Sequence, residues 1–235
     1  MTTEELKNLF RAVADDPEQP GDGDDSDSLW TDLEIYSYMH LAQRAFARET
    51  EIFIDSSTTA IVDAPVTADD PSLPMSPLII KIKRARMAST KYKVVLLKHE
   101  EIDSGWINED YGLSFSSNWQ EQTGTPRILV TNWQKDEARL VPIPIANDTV
   151  NMTVIRYPLV DIVTKANALE VTEIEHQYIM LELMQHYAYK KHDADIFNEE
   201  KAELFRSSFM LKTREIQEEL KKRYKPARVV EYGGL

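Results

Sequence analysis

Trp30-Thr31-Asp32-Leu33-Glu34 and Val171-Thr172-Glu173-Ile174-Glu175 share one design: a threonine followed three residues later by a glutamate at the head of an apolar-periodic run. In such a capping box the Thr hydroxyl accepts from the backbone N–H three residues on, while the Glu carboxylate accepts from the Thr N–H. Trp30 before the first box and Ile35 after it are placed to form a hydrophobic staple; Val171 and His176 hold the same positions in the second, a weaker pair. The residues between the boxes read as strand and turn, so the boxes bracket a β-rich segment set inside a helical one.

Working outward, the first box predicts a helix from Thr31 to about Ile54 with Ile35, Tyr38, Met39, Ala42, Ala45 and Phe46 on its packing face. Glu34, Gln43, Arg44, Arg48 and Glu49 then fall mainly outside. The second predicts a helix from Glu173 to about Lys191, where Ile174, Tyr178, Leu181, Leu183, Met184, Tyr187 and Ala188 cover more than one face, so it packs on two sides. A third runs from Asp195 to Tyr224, capped by Asp193 or Asp195, with Phe197, Leu204, Phe205, Ser208, Leu211, Ile216 and Leu220 on its apolar side. Together they suggest a small helical bundle.

Between the helices, Leu78 to Met87, Tyr92 to Leu97, Arg127 to Trp133, Leu140 to Ile145 and Val150 to Tyr157 are short runs rich in strand formers, read as an antiparallel meander or sandwich. Turns fall at Asn132 to Glu137 and at Ala146-Asn147-Asp148, and Pro65, Pro71, Pro74 and Pro77 mark an irregular edge connection. The fold class is therefore α+β: a bundle of 29–55 plus 170–225, an inserted antiparallel β domain over 56–169, an N-terminal helix and acidic linker over 1–28, and an extended C-terminal arm over 226–235. At 235 residues and 42% hydrophobic content, such a chain can bury a core.

The formal charge of −13 is concentrated at the start, where nine Asp/Glu face two Lys/Arg within residues 1–30, a net of −7. Asp15 to Asp27 lacks an apolar residue beyond its prolines and reads as a flexible linker or long loop. Asp22, Asp24 and Asp25 crudely resemble a calcium loop, but the twelfth position from Asp22 holds no Glu. Ahead of this stretch, Leu6, Leu9, Phe10 and Val13 form one face of a short helix, Glu4 to Ala14, suited to docking on the body or a neighbour. Residues 210–235 reverse the sign, with seven Lys/Arg against four Glu. There Lys221-Lys222-Arg223-Tyr224-Lys225 complements a helix macrodipole, and Pro226 ends the helix. Arg228, Val229, Val230, Glu231 and Tyr232 form an extended arm whose strand formers suit addition to a partner's sheet.

Several chemistries find no foothold in the sequence. It has no cysteine, hence no disulfide, thiolate nucleophile or Cys-based metal site. Its seven glycines build neither Gly-x-x-x-x-Gly-Lys nor Gly-x-Gly-x-x-Gly, and Ser114, Ser116 and Ser117 lie in no nucleophile elbow. Glu173-x-x-His176 has the spacing that lets a helix offer carboxylate and imidazole to one metal, but it stands alone, and His186 and His192 do not share its face. Paired Glu100-Glu101, Glu199-Glu200 and Glu218-Glu219 point apart on solvated faces. The expectation is a protein without catalytic residues, metal or cofactor. With neither a secretory start nor about 18 uninterrupted apolar residues, it is expected to be soluble and made inside the cell. Lys81, Lys83, Arg84, Arg86, Lys91 and Lys93, with Tyr92, form a basic strand pair that suits DNA, although the chain as a whole is acidic.

Taken in order, Trp30 to Ile35 and Ala42-Gln43-Arg44-Ala45-Phe46-Ala47-Arg48-Glu49-Thr50 resemble the opening helix of the head-to-tail adaptor (connector or tail tubular) proteins of tailed bacteriophages. Trp119 to Pro126, Leu140-Val141-Pro142-Ile143-Pro144 and Arg156-Tyr157-Pro158 look like that family's β insertion. Tyr187 to Asp195, Lys201-Ala202 and Phe205 to Phe209 look like its closing helices. The likeness runs from about Trp30 to Phe209; the acidic segment before it is longer than the family pattern. The resemblance implies a virion protein made in the host cytoplasm. About twelve copies would form a ring under the portal, extend the DNA channel and dock the tail nozzle, without catalysis. In such a ring the bundle packs around the axis, the β domain faces outward or toward the tail, and Arg228 to Tyr232 would engage the portal. Acidic linings suit a channel through which duplex DNA slides without specific binding. The alternative is a DNA-binding or packaging-regulatory phage protein.

Overall fold

The computed structural model describes residues 1–16, 28–103, 119–191 and 196–223. Among them are six helices and ten strands, a mixed α/β chain with a mostly antiparallel sheet. The chain divides into two compact units: Met1–Ile52 with Pro158–Leu235, and Phe53–Tyr157. The first carries the long helices; the second carries every strand.

Helix α1 (Thr3–Val13) begins with a complete capping box, Thr2 with Glu5, that the sequence reading passed over. Its buried face is also different from the expected one. Leu6 and Phe10 are fully buried, but Val13 is 52% exposed, and the stripe is completed by Thr3, Lys7, Arg11 and Ala14. Two cations therefore point inward, and both find anions. Lys7 Nζ and Arg11 Nη2 each lie 2.8 Å from one oxygen of Asp32, and Arg11 Nη1 lies 2.9 Å from buried Asp16. Burial alone would raise the Asp32 carboxyl, but hydrogen bonds and charge from Arg11 and Lys7 outweigh it and hold the group below the usual carboxylate range.

Helix α2 (Asp32–Thr50) starts as expected: Thr31 and Glu34 satisfy one another's N–H groups. Trp30 is 1% exposed and meets Phe10 edge-on, ring centroids 5.5 Å apart; burying a side chain of that size stabilises by about 3 kcal/mol. Glu34 also pairs with Lys191 at 2.8 Å. Gln43 corrects the reading: its amide is fully buried, not outside. It accepts from the N–H of Glu170 at 2.9 Å and of Val171 at 3.4 Å.

Helix α5 (Ile174–Tyr189) is capped by Glu173 without a side-chain bond, so the second capping box does not form. The residues that would have built it are held elsewhere. Val171 is buried, with its N–H on Gln43 and its carbonyl accepting from Gln177 Nε2 at 2.6 Å, and Glu173 turns toward His176. Helix α5 packs against α1, α2 and α6 (Glu199–Arg223), while Ile174 and Tyr178 of its expected apolar spread stay exposed. Tyr38 of α2 stacks on Tyr187 of α5, and burial, then the nearby Glu34 carboxylate, push its phenol up to about 12.

Helix α6 (Glu199–Arg223) is capped by Asn198, whose Oδ1 accepts from Lys201 N–H at 3.0 Å. Asp193 and Asp195 lie outside the described residues. Its most buried residues include Ala202, Phe209 and Thr213; of the expected face Phe205, Ser208, Ile216 and Leu220 are half-buried, whereas Leu204 and Leu211 are 66% and 62% exposed. His186 of α5 ties the pair through its Nδ1, 2.8 Å from the Ala202 carbonyl.

The second unit holds one eight-stranded sheet ordered β1 (Ile54–Asp55), β10 (Asp148–Arg156), β4 (Ile79–Met87), β5 (Lys93–Lys98), β7 (Ile128–Gln134), β8 (Glu137–Val141), β3 (Ser72–Pro74). Strand β2 (Asp63–Val66) pairs with the first half of β10 on the same side as β1. Strands β2 and β3, from opposite edges, come together, so the sheet curls. Val62, Val66, Leu73, Met87, Leu129, Leu140, Val150 and Val154 form its buried core. The expectation of a purely antiparallel domain fails at one place in this sheet. Strands β5 and β7 run parallel, with Val95 beside Ile128 and Lys98 beside Thr131; helix α4 (His99–Asp103) follows β5. A separate two-stranded pair, β6 (Thr123–Gly124) with β9 (Ile143–Pro144), is parallel too. Pro65 and Pro74 sit in β2 and β3, where a missing donor does least harm. Helix α3 (Thr59–Val62) leads into β2.

Replacing Arg11 with Met should leave Asp16 as a buried carboxylate without its guanidinium and destabilise the helical unit by about 3 kcal/mol. Urea unfolding followed by Trp30 fluorescence would measure it.

Candidate functional site

The basic residues singled out from sequence occupy β4, β5 and the turn between them. In a regular strand Lys81, Lys83 and neighbouring Arg84, Arg86 would fall on opposite faces. A bulge prevents that. Thr153 of β10 faces Arg84 and Val154 faces Ile82, leaving Lys83 as the extra residue. The strand thereby buries Ala85 and Met87 while exposing Lys81, Lys83, Arg84 and Arg86. Lys91 sits in the left-handed conformation (φ 61°) in the β4 to β5 turn, and Arg86 stands directly opposite Lys93.

These cations border a basin of about 900 Å³ whose lining includes Lys83, Arg84, Arg86, Lys91 and Lys93, one carboxylate, Asp63, and the polar residues Ser56, Asn151 and Thr153. Asn151 Nδ2 donates to Asp63 at 2.6 Å, which partly occupies that single acid. Behind Lys91, Asp148 accepts from the Ser89 hydroxyl and N–H. Burial would raise its carboxyl, but Ser89, the Thr149 N–H and the Lys91 charge outweigh it and hold it low.

Ser56 reaches the basin rim through a turn organised by Asp55. One oxygen of Asp55 accepts from the N–H groups of Ser57 and Thr58 at 2.9 and 3.0 Å. The other accepts from the Thr58 hydroxyl and from Arg156 Nε, both at 2.7 Å. Burial would raise the carboxyl, yet the Ser57 N–H, Thr58 hydroxyl and Arg156 guanidinium together hold it far below the usual range. Asp-Ser-Ser-Thr at 55–58 was a legible turn signal; its partner Arg156, 101 residues away, was not.

A second polar cluster lies between β7 and β8. The Arg139 guanidinium sits 4.9 Å from the Trp133 ring centroid and 5.7 Å from that of Trp119, and donates to the Gln120 carbonyl at 2.9 Å. His99 meets Trp133 edge-on at 4.8 Å. Burial pushes the guanidinium pKa down without a carboxylate among these contacts.

Of the other residues read from sequence, Glu173 and His176 do meet, Nδ1 to Oε2 at 3.1 Å, and the imidazole leans on Phe46. The described residues contain no group of three or more His, Asp or Glu arranged for a metal ion. Among them no helix is long and apolar enough to cross a membrane. Arg228, Val229, Val230, Glu231 and Tyr232, the Asp22 to Asp25 loop, Ser114, Ser116, Ser117 and His192 lie outside the described residues. Ser56, Asn151 and Thr153 joined the basin unannounced, because only sheet register brings them beside β4. No protein-family model matches the sequence, and no curated protein matches it.

Asp55→Asn should cost about 1–3 kcal/mol at pH 7, since it removes the carboxylate charge that pairs with Arg156 and receives the Ser57 and Thr58 donors. Because the native carboxyl is held low, its stabilisation is complete above the unfolded value of about 4 and disappears as pH falls through the native value. Denaturant midpoints should therefore differ most at pH 7 and draw steadily closer below about pH 4.

Proposed function

We propose that this chain is a structural, ring-forming head-to-tail adaptor of a tailed bacteriophage, joining the portal to the tail and extending the DNA channel. The observation that carries the reading is the exposed apolar surface of the helical unit. Leu204 and Leu211 on α6 are 66% and 62% exposed, and Ile174 and Tyr178 on α5 are 55% and 50% exposed. Large apolar side chains gathered on helices favour coverage by protein, and a head-to-tail contact repeated around an axis closes into a ring. The order of adaptor-like segments from Trp30 to Phe209 supports the same reading.

In this reading α2, α5 and α6 act as a bundle packed around a ring of about twelve copies. The sheet unit meets the tail nozzle or the outside, and Arg228, Val229, Val230, Glu231 and Tyr232 form the arm that engages the portal. The chain resides at the portal vertex of the virion and performs no catalysis. A packaging-regulatory, DNA-binding role is the second reading, favoured by the basic basin alone.

Electron microscopy of purified particles should find the chain as a closed ring at the portal vertex; particles that lack it refute the adaptor. Leu204→Glu with Leu211→Glu should abolish ring assembly on the portal while thermal unfolding of the free chain stays within a few degrees. Deleting residues 226–235 should leave the fold intact and eliminate portal binding in a pull-down.

A further inference from the structure

We propose that the basin on the sheet unit binds the phosphate backbone of duplex nucleic acid, by charge and without reading base sequence. Five exposed cations line it against one lining carboxylate, a lining charge of +4 that Asp148 beside Lys91 reduces to about +3, on a chain of net −13. At physiological salt, charges beyond about 8 Å are largely screened, so the local cluster and not the chain total governs what sits in the basin. Arg86 and Lys93 stand directly opposite on neighbouring strands, where like charges repel, and the bulge at Lys83 adds a further cation to the same side. An anion shared among them relieves that repulsion.

The lining selects the anion. Apart from the inward-facing Ala85 and Met152, the described lining is polar, so an apolar ligand or a nucleobase gains little there. Tyr92 is 67% exposed beside the cations, a single ring where single-strand binders use successive stacking platforms. Arg84 and Arg86 are separated by about 7 Å along the strand, and Lys93 lies about 5 Å across from Arg86. That density suits one strand of a duplex, with a phosphate per about 3.4 Å of axis, better than an extended acidic peptide, whose charges reach one face at most once per about 7 Å. Ser56 and Thr153 add hydroxyl donors for phosphate oxygens.

The test is fluorescence anisotropy of the full chain with a labelled 20-base-pair duplex of arbitrary sequence. Four phosphate contacts predict a salt slope of about −3.6 and about 150-fold weakening between 50 and 200 mM salt. Arg84→Gln with Arg86→Gln should weaken binding roughly tenfold or more at 50 mM and reduce the slope by about 2, and Lys91→Gln with Lys93→Gln should do the same. All four side chains are exposed, so both variants should keep the wild-type circular dichroism and melting. Absence of binding at 50 mM, an unchanged slope in both variants, tighter binding of single-stranded DNA, or displacement by polyaspartate at equal charge concentration would each overturn the site; the last would point to an acidic protein instead. The inference deepens the second, DNA-binding reading and stands apart from the adaptor: duplex binding by a chain missing from particles would keep the basin and remove the ring.

Discussion

Gln43 is the constraint on which the helical unit turns. A chain that leaves the unit after α2 and returns more than a hundred residues later must be told where to rejoin, and it rejoins at Glu170 and Val171, whose N–H groups both end on the Gln43 amide oxygen. Gln177 of α5 then takes the Val171 carbonyl. Two buried amides, one on each helix, thus hold the returning segment between them and fix the first turn of α5. Leaving such backbone groups unpaired would cost about 1–3 kcal/mol each, so the arrangement is set by hydrogen-bond satisfaction as much as by apolar packing. The second capping box gives way to this requirement.

The N-terminal helix obeys the same logic with charges. Lys7 and Arg11 are buried because Asp32 and Asp16 meet them, and those partners sit at the start of α2 and just after α1. Buried ion pairs contribute modestly to net stability, but losing one member is expensive, so they specify a geometry more than they strengthen it. Asp16 also accepts from the Leu29 N–H at 2.8 Å, which anchors both sides of the acidic stretch to the same guanidinium.

In the sheet unit, one extra residue determines the chemistry of a face. Without the bulge at Lys83, a strand carrying Lys81, Lys83, Arg84 and Arg86 would have to bury cations or give up its apolar alternation; with it, Ala85 and Met87 stay inside and all four cations reach solvent. Register does the rest, setting Lys93 on one side of Arg86 and Asn151 on the other. The Asp55 turn and Arg156 hold Ser56 at the rim. An acidic chain thereby keeps one compact basic surface.

Local sequence determined most of the elements: the Thr31–Glu34 box began α2, periodic runs marked α5 and α6, and β-branched runs marked β4, β5, β7 and β10 to within a few residues, while the run Leu140 to Ile145 straddled the end of β8 and β9. It also determined the separation of charge along the chain. Tertiary structure decided which faces those elements use. Leu204 and Leu211 share a helix with Phe209, yet only Phe209 is buried; Gln43 looks like a surface residue and is among the most buried. It also set β5 parallel to β7 and joined Asp55 to Arg156. Periodicity records that a residue has a side of a helix or strand, whereas the side that is covered, and by what, depends on partners many residues distant whose pairing no local pattern encodes.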